Sequence, residues 1–208
     1  MYTGIIQNYL PVKSVSNAPG LTSFSIIFTP EILKNLQIGA SVSIDGVCFT
    51  VTKVLENEVF FDAMQETLFK TTIGSLKVGQ KVNIERSSTE GAEIGGHIIS
   101  GHVHGMAKII AIEELENNHV VTFQLPERLS KYVFDKGFIA LDGASLTVVD
   151  ADFDKETLKV WFIPETLGRT TFGFKTVGDM VNVEVDQQTR VIVDTLERLL
   201  PQYLDKNK

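Results

Sequence analysis

The densest run of side chains able to do chemistry is Gly95-Gly96-His97-Ile98-Ile99-Ser100-Gly101-His102-Val103-His104-Gly105, which holds three of the four histidines. Imidazole titrates near neutral pH, so one reading is an acid/base site. A second is a metal site, because His102 and His104 would project from one face of a strand. Against it, His97 stands at odd spacing and the run contains no Cys or Asp, so no metal is expected. A third reading leaves the glycines to a turn between domains and the histidines to the surface. The single thiol, Cys48, aligns with Ser145, each two residues before a strand threonine, Thr50 or Thr147. Cys48 reads either as a nucleophile paired with His97 or His102, or as a small buried residue. Asp62–Thr67 (DAMQET) and Trp161–Thr166 (WFIPET) each place Glu-Thr at the end of an apolar strand. There Thr67 and Thr166 either close turns or offer hydroxyl and backbone groups to a flat heterocycle.

These pairings come from a tandem duplication. Residues 66–85 and 165–184 align without a gap and share 11 identities in 20 positions. Val42–Val51 matches Ile139–Val148, Pro30–Leu33 echoes Pro126–Leu129, and Thr3-Gly4 is matched to His104-Gly105. Each copy is a series of short β-branched segments broken by Gly, Asn and Asp. Strands are predicted over Val42–Ile44, Cys48–Leu55, Val59–Asp62 and Lys81–Glu85, and over Gly137–Leu141, Leu146–Ala151, Thr157–Phe162 and Met180–Val185. Asp45-Gly46 and Asp142-Gly143 are tight-turn dipeptides. Pro30–Leu36 and Pro126–Val133 read as one short helix each. About six strands in under 100 residues favour a small closed barrel, which leaves no exposed edge.

The tail changes period. Ile192, Leu196, Leu199 and Tyr203 form an a/d stripe, with Thr189 or Gln188 as the cap and Pro201 as an end or kink. Both barrels are complete without this helix, so the stripe points to association between subunits. The expected organisation is a first barrel over 1–97, a second over 98–186, and an oligomerisation helix and tail over 187–208. The 19 Lys and Arg against 26 Asp and Glu, a net charge of −7, argue against a nucleic-acid partner. One cysteine permits no intrachain disulfide. The opening residues lack a secretory pattern, and no apolar run approaches the roughly 18 residues of a membrane helix. A cytoplasmic protein without membrane attachment is expected.

The motifs MYTGIIQ, DGVCFTV, ETLFKTT, VGQKVNIER, GGHIISGHVHG, KGFIALDGASLTV and IPETLGRTT, in this order, resemble the riboflavin synthase family of the lumazine-binding, alpha-chain type. The resemblance runs from Met1 to about residue 200 and implies a mostly β chain of two six-stranded Greek-key barrels plus a C-terminal helix. It also implies a homotrimer held by those helices, no cofactor, and a dismutation of two 6,7-dimethyl-8-ribityllumazine molecules into riboflavin and 5-amino-6-ribitylamino-uracil. By the family pattern, a first pocket uses Gly4, Ile5, Ile6, Cys48, Phe49, Thr50, Asp62, Ala63, Met64, Gln65, Glu66 and Thr67. A second uses Gly101, His102, Val103, Ser145, Leu146, Thr147, Trp161, Phe162, Ile163, Pro164, Glu165 and Thr166, with Lys136 reaching a ligand from the adjoining subunit. His102 is expected to transfer protons, with His97, Ser145, Cys48 and Asp186 as the further catalytic residues. Tyr2 stands where the family usually carries Phe. A non-catalytic lumazine or flavin carrier of the same fold is the alternative; its relatives typically lose the junction histidines that this chain keeps.

Overall fold

The duplication is visible as two strand systems in a computed structural model that describes residues 1–89, 91–116 and 118–206. In the first half, β1 (Asn8–Ala18), β2 (Leu21–Ile27), β3 (Ser41–Ile44), β4 (Val47–Leu55), β5 (Glu58–Met64) and β6 (Lys81–Arg86) close a barrel in the order β1-β2-β5-β4-β3-β6. All neighbours are antiparallel. The hairpin between β3 and β4 turns on Asp45 and Gly46, both at positive φ (45° and 80°), the geometry that a twisted two-residue hairpin demands. Alternate residues point inward, so Phe24, Ile26, Val42, Ile44, Phe49, Val51, Phe61, Val82 and Ile84 fill the barrel.

The second half has β7 (Gly105–Leu115), β8 (Asn118–Gln124), β9 (Phe138–Leu141), β10 (Ala144–Thr147), β11 (Asp150–Asp152), β12 (Thr157–Phe162) and β13 (Met180–Val185). They form a curled seven-stranded sheet ordered β10-β9-β13-β7-β8-β12-β11. The single strand expected over Leu146–Ala151 is therefore two. Its break falls where β4 carries a register shift between Val51 and Lys53. Val148 N–H donates to Gly137 C=O at 3.0 Å and Val149 N–H to Lys159 C=O at 2.9 Å, so the chain changes partner strand there. β10 and β11 thus share the place that β4 fills alone.

The helices after β2 and β8 are shorter than expected. α1 (Pro30–Leu33) stops before Asn35, whose φ is 57°, and α3 (Glu127–Ser130) gives way to turns in which Tyr132 and Val133 N–H donate three residues back. Two helices were not anticipated: α2 (Gln65–Lys70) and α4 (Pro164–Arg169), each followed by a 3-10 turn. The last helix, α5 (Gln187–Lys206), runs through Pro201 instead of ending there. Its cap is Asp186, not Thr189 or Gln188: the Asp186 carboxylate accepts Thr189 N–H at 2.7 Å. Residues 207 and 208 of the expected tail lie outside the described residues. Among the described residues no helix is long and apolar enough to cross a membrane.

The two halves meet through their Asp-Gly turns. A Cβ at Gly46 would lie 2.7 Å from Gly143 N, so only two glycines can pack back to back here. Asn83 donates to Asp142 C=O (3.0 Å) and accepts Thr171 N–H (2.8 Å); Asn182 donates to Asp45 C=O (2.8 Å) and accepts Thr72 N–H (2.8 Å). Each asparagine stands on one barrel and holds the turn that follows the short helix of the other. Lys175 Nζ lies 2.8 Å from Asp142 Oδ2, off the line of a hydrogen bond, so that contact is ionic. Burial pushes the Asp45 carboxyl well above the usual range, and the nearby Asp142 adds to the rise.

Candidate active site

Two segments that belong to neither strand system build the site. Tyr2 and Ile99 pair as an antiparallel bridge, with N···O distances of 2.8 and 3.0 Å. From this bridge the chain runs on through Thr3-Gly4-Ile5-Ile6 in one copy and Ser100-Gly101-His102-Val103 in the other. Glu85 accepts Thr3 N–H at 2.7 Å, Thr3 Oγ1–H at 2.8 Å and Gly4 N–H at 3.0 Å. Glu184 accepts Ser100 N–H at 2.7 Å, Ser100 Oγ–H at 2.7 Å and Gly101 N–H at 2.9 Å. This corrects the alignment of the start: Thr3-Gly4 corresponds to Ser100-Gly101, not to His104-Gly105. The copy-one counterpart of His102 is therefore Ile5 rather than Met1, and that of His104 is Gln7 rather than Thr3. The side chains of Gln7 and His104 do the same work. Gln7 Oε1 accepts Arg86 N–H at 2.9 Å, and His104 Nδ1 accepts Val185 N–H at 3.2 Å.

The segments are exchanged. Ile6 packs in the core of the second strand system and Val103 against that of the first. Ser145 N–H donates to Gly4 C=O at 2.9 Å, and Cys48 N–H donates to Gly101 C=O at 2.9 Å. Gly4 and Gly101 have φ of 76° and 82°, and a Cβ on them would lie 2.5 Å from Ser145 Cβ and 2.7 Å from Cys48 Cβ. A side chain at either position would close the approach. The pocket grouping expected from sequence is corrected accordingly. Gly4, Ile5 and Ile6 line a cavity of about 140 Å³ with Ala144, Ser145, Glu165, Thr166, Arg169 and Thr170. Gly101 and Val103 contact the first barrel instead, at Cys48 and its core.

Within each copy, strand alternation sorts the remaining expected residues. Cys48 and Ser145 are half-buried, Thr50 and Thr147 exposed, while Phe49 and Leu146 point into the cores. At the ends of β5 and β12, Asp62, Met64, Trp161 and Ile163 are exposed, and Ala63 and Phe162 are core. Asp62 Oδ1 accepts Ser23 Oγ–H at 2.6 Å. Gln65, Glu66 and Thr67 form the first turn of α2, and Pro164, Glu165 and Thr166 that of α4. Glu66 pairs with Lys70 and Glu165 with Arg169 on the surface. The Thr67 and Thr166 carbonyls accept the hydroxyls of Thr71 (2.6 Å) and Thr170 (2.7 Å). Lys136 is exposed, at φ 62°.

The polar groups differ between the pockets. In the second, His97 Nδ1 lies 2.6 Å from Ser145 Oγ, and the buried imidazole stacks on Phe138 with centroids 5.3 Å apart. Burial lowers the His97 pKa, and the charge of Asp186 opposes that shift. In the first pocket, Tyr2 Oη–H donates to Cys48 Sγ at 3.1 Å. Burial pushes the Tyr2 phenol far above its ordinary range, so it stays a donor. His102 is exposed, its N–H donating to Ser100 Oγ at 3.2 Å. His104 is held away from this chemistry. Its two ring nitrogens face Val185 N–H and Arg190 Nη1, and burial, aided by the Arg190 and Arg128 charges, lowers its pKa to about 4. A larger cleft of about 960 Å³ lies beside α1 and reaches Ile5 and Glu85, but neither Cys48 nor Ser145. Tyr2, Glu85 and Glu184 were missed as site residues. The signal for the glutamates was present, since VNIE and VNVE repeat a charged residue at the end of an apolar strand.

Comparison with known proteins agrees with this architecture. The lumazine binding domain model matches twice, over residues 3–87 and 100–186, and the chain belongs to that family. Its curated relatives include the riboflavin synthases of Escherichia coli (strain K12), 43% identical over 96% of this chain and 93% of that protein, and of Chlamydia pneumoniae, 44% identical over 96% and 97%. Among solved structures, LumP complexed with 6,7-dimethyl-8-(1'-D-ribityl) lumazine superimposes with a TM-score of 0.81 at 25% identity, covering 90% of this chain and all of that one. LumP complexed with riboflavin does so with the same score at 26% identity.

Proposed function

We propose that the chain is a riboflavin synthase, a transferase that moves a four-carbon unit between two 6,7-dimethyl-8-ribityllumazine molecules to give riboflavin and 5-amino-6-ribitylamino-uracil. The observation that carries this reading is the pair of equivalent positions at Cys48 and Ser145, each bonded at its N–H by a glycine carbonyl on a segment of the other copy, with a cavity opening beside Ser145. A reaction that consumes two copies of one molecule needs two similar seats. Holding both rings in register replaces a bimolecular encounter with an effectively intramolecular one, an effect that reaches about 7–11 kcal/mol in well-aligned cases. The substrate supplies its own nucleophile, because loss of a 7-methyl proton leaves an anion delocalised over the ring system. The protein's task is then to orient the rings, exclude water and move protons. His102, exposed on the segment that closes the Cys48 pocket, is assigned the proton transfer. Ser145 and His97 act on the second ring, with the Asp186 charge opposing the burial of His97.

We further assign the working form to a homotrimer with the reaction centre between subunits. Ile192 (60% exposed), Leu196 (51%) and Leu199 (36%) leave an apolar stripe on α5 bare within one chain, which supports helix–helix association. The cavity beside Ser145, about 140 Å³, is below the roughly 300 Å³ at which small-molecule sites begin, so a neighbouring surface is needed to complete it. Lys136 is placed on that neighbouring surface, and the enzyme in the cytoplasm. The carrier reading draws on the LumP likeness, but the synthases are more similar in sequence and the His97–Ser145 pair is in place. The deciding experiment is incubation of purified protein with 6,7-dimethyl-8-ribityllumazine alone, following riboflavin absorbance. Ligand binding without product formation would establish the carrier.

A further inference from the structure

Each of the exchanged segments hangs from one buried carboxylate. Glu85 is 3% exposed and Glu184 is 5% exposed, and each receives three donors from two consecutive residues. Such convergence of backbone N–H groups on an anion makes short, charge-assisted bonds and leaves no other partner for those donors. The grip matters because of what the second gripped residue does with its carbonyl. Gly4, held by Glu85 of the first barrel, presents its carbonyl to Ser145 of the second. Gly101, held by Glu184 of the second strand system, presents its carbonyl to Cys48 of the first.

We propose that Glu85 and Glu184 are crossed positioning residues: the carboxylate of each half sets the geometry of the substrate pocket in the other half. Glu85 controls the Ser145 pocket and Glu184 controls the Cys48 pocket together with the placement of His102, one residue beyond Gly101. This rests on the pocket assignment of the proposed function and adds to it a coupling between the two seats. The coupling runs through backbone, from the carboxylate to a glycine N–H and from that glycine's C=O to the pocket residue.

Glu85→Gln and Glu184→Gln test it, since the amide keeps the volume but turns one acceptor oxygen into a donor facing an N–H. Hydrogen exchange read by mass spectrometry on the whole chain, over residues 46–52 and 143–149, follows the two pockets separately. E85Q is expected to speed exchange at the Ser145 amide about tenfold and weaken riboflavin protection of 143–149 to a similar extent, with 46–52 changed less than about twofold. E184Q is expected to do the reverse. Acceleration confined to the mutated half, or equal in both, overturns the proposal. Should either variant fail to fold, Thr3→Val and Ser100→Ala remove the hydroxyl bond to the glutamate, together with the bond that hydroxyl accepts from Ile5 or His102 N–H, and must show the same crossed direction at smaller size. The exchange arm without ligand decides the coupling even if the wild-type chain shows no riboflavin protection, a result that would count against the proposed function alone.

Discussion

Replacement of His104 by Gln should make the protein less sensitive to acid while leaving it folded at neutral pH. The substitution copies a solution the chain already contains, because Gln7 holds the equivalent backbone N–H through its side-chain oxygen. His104 is a base whose folded pKa, about 4, lies below the ordinary 6.5. Burial comes first among the causes, followed by the charges of Arg190, Arg128 and His102, with Asp194 opposing. In the window between these values the unfolded chain binds a proton that the folded chain refuses. Stability is therefore complete above about pH 6.5, is lost as pH falls toward 4, and levels off below.

A shift from 6.5 to about 4 corresponds to at most about 3.4 kcal/mol, and because the ring is only partly buried, solvent screening reduces this to about 1–2 kcal/mol. Part of that is reached at about pH 5, so wild type should lose about 1 kcal/mol more than H104Q between about pH 7.5 and pH 5. Urea unfolding at fixed protein concentration, followed by far-UV circular dichroism, measures the difference. Equal losses in the two proteins would mean that His104 protonates without penalty, and the account of its surroundings would be wrong.

His102→Ala should lower turnover by about 10²–10⁴-fold with riboflavin affinity little changed; an equal loss of both in parallel titration and turnover assays would make His102 a wall of the pocket. Truncation after Asp186 should leave both strand systems folded but reduce the oligomer to smaller species and lower activity, as read by sedimentation. A fragment of residues 1–97 should fold around its own closed barrel and bind riboflavin more weakly than the whole chain, because Gly101–Val103 are gone. It should make no riboflavin, since it lacks Ser145; turnover near that of the whole chain would reduce the second half to a scaffold.

What could be read in advance follows how local each signal is. The 66–85 and 165–184 repeat, the two Asp-Gly hairpins and the a/d stripe of α5 depend on neighbouring residues, and all three lead to the architecture observed. The short helix α2 escaped because its cap, Met64, makes no side-chain bond, and α4 was passed over although Pro164 marks its first turn. As an end signal Pro201 misled, because the helix continues past it to Lys206. The start was misaligned because one shared glycine is weak evidence for register; φ at Gly4 and Gly101 and the bonds to the glutamates decide it. The exchange of segments had no local signature, since Ile6 and Val103 are ordinary apolar residues whichever barrel they enter.

That exchange explains why the duplicated halves are not interchangeable units. If each barrel closed its own pocket, the copies could drift apart and each would remain a complete binder. Here Gly4 packs against Ser145 and Gly101 against Cys48, so with the crossed positioning proposed above a change in one half would be felt at the seat in the other. The same wiring lets the seats differ. The His97 imidazole lies against Ser145 Oγ, while Cys48 receives the Tyr2 hydroxyl. One seat thus offers an imidazole that burial biases toward its neutral form, and the other a phenol held protonated. A dismutation asks two identical molecules to play opposite parts, donor and acceptor. A symmetric pair of pockets would have to assign those parts by chance at each encounter. On the proposed reaction, two seats related by duplication but backed by different groups, His97 at one and Tyr2 at the other, would impose the assignment before the rings meet.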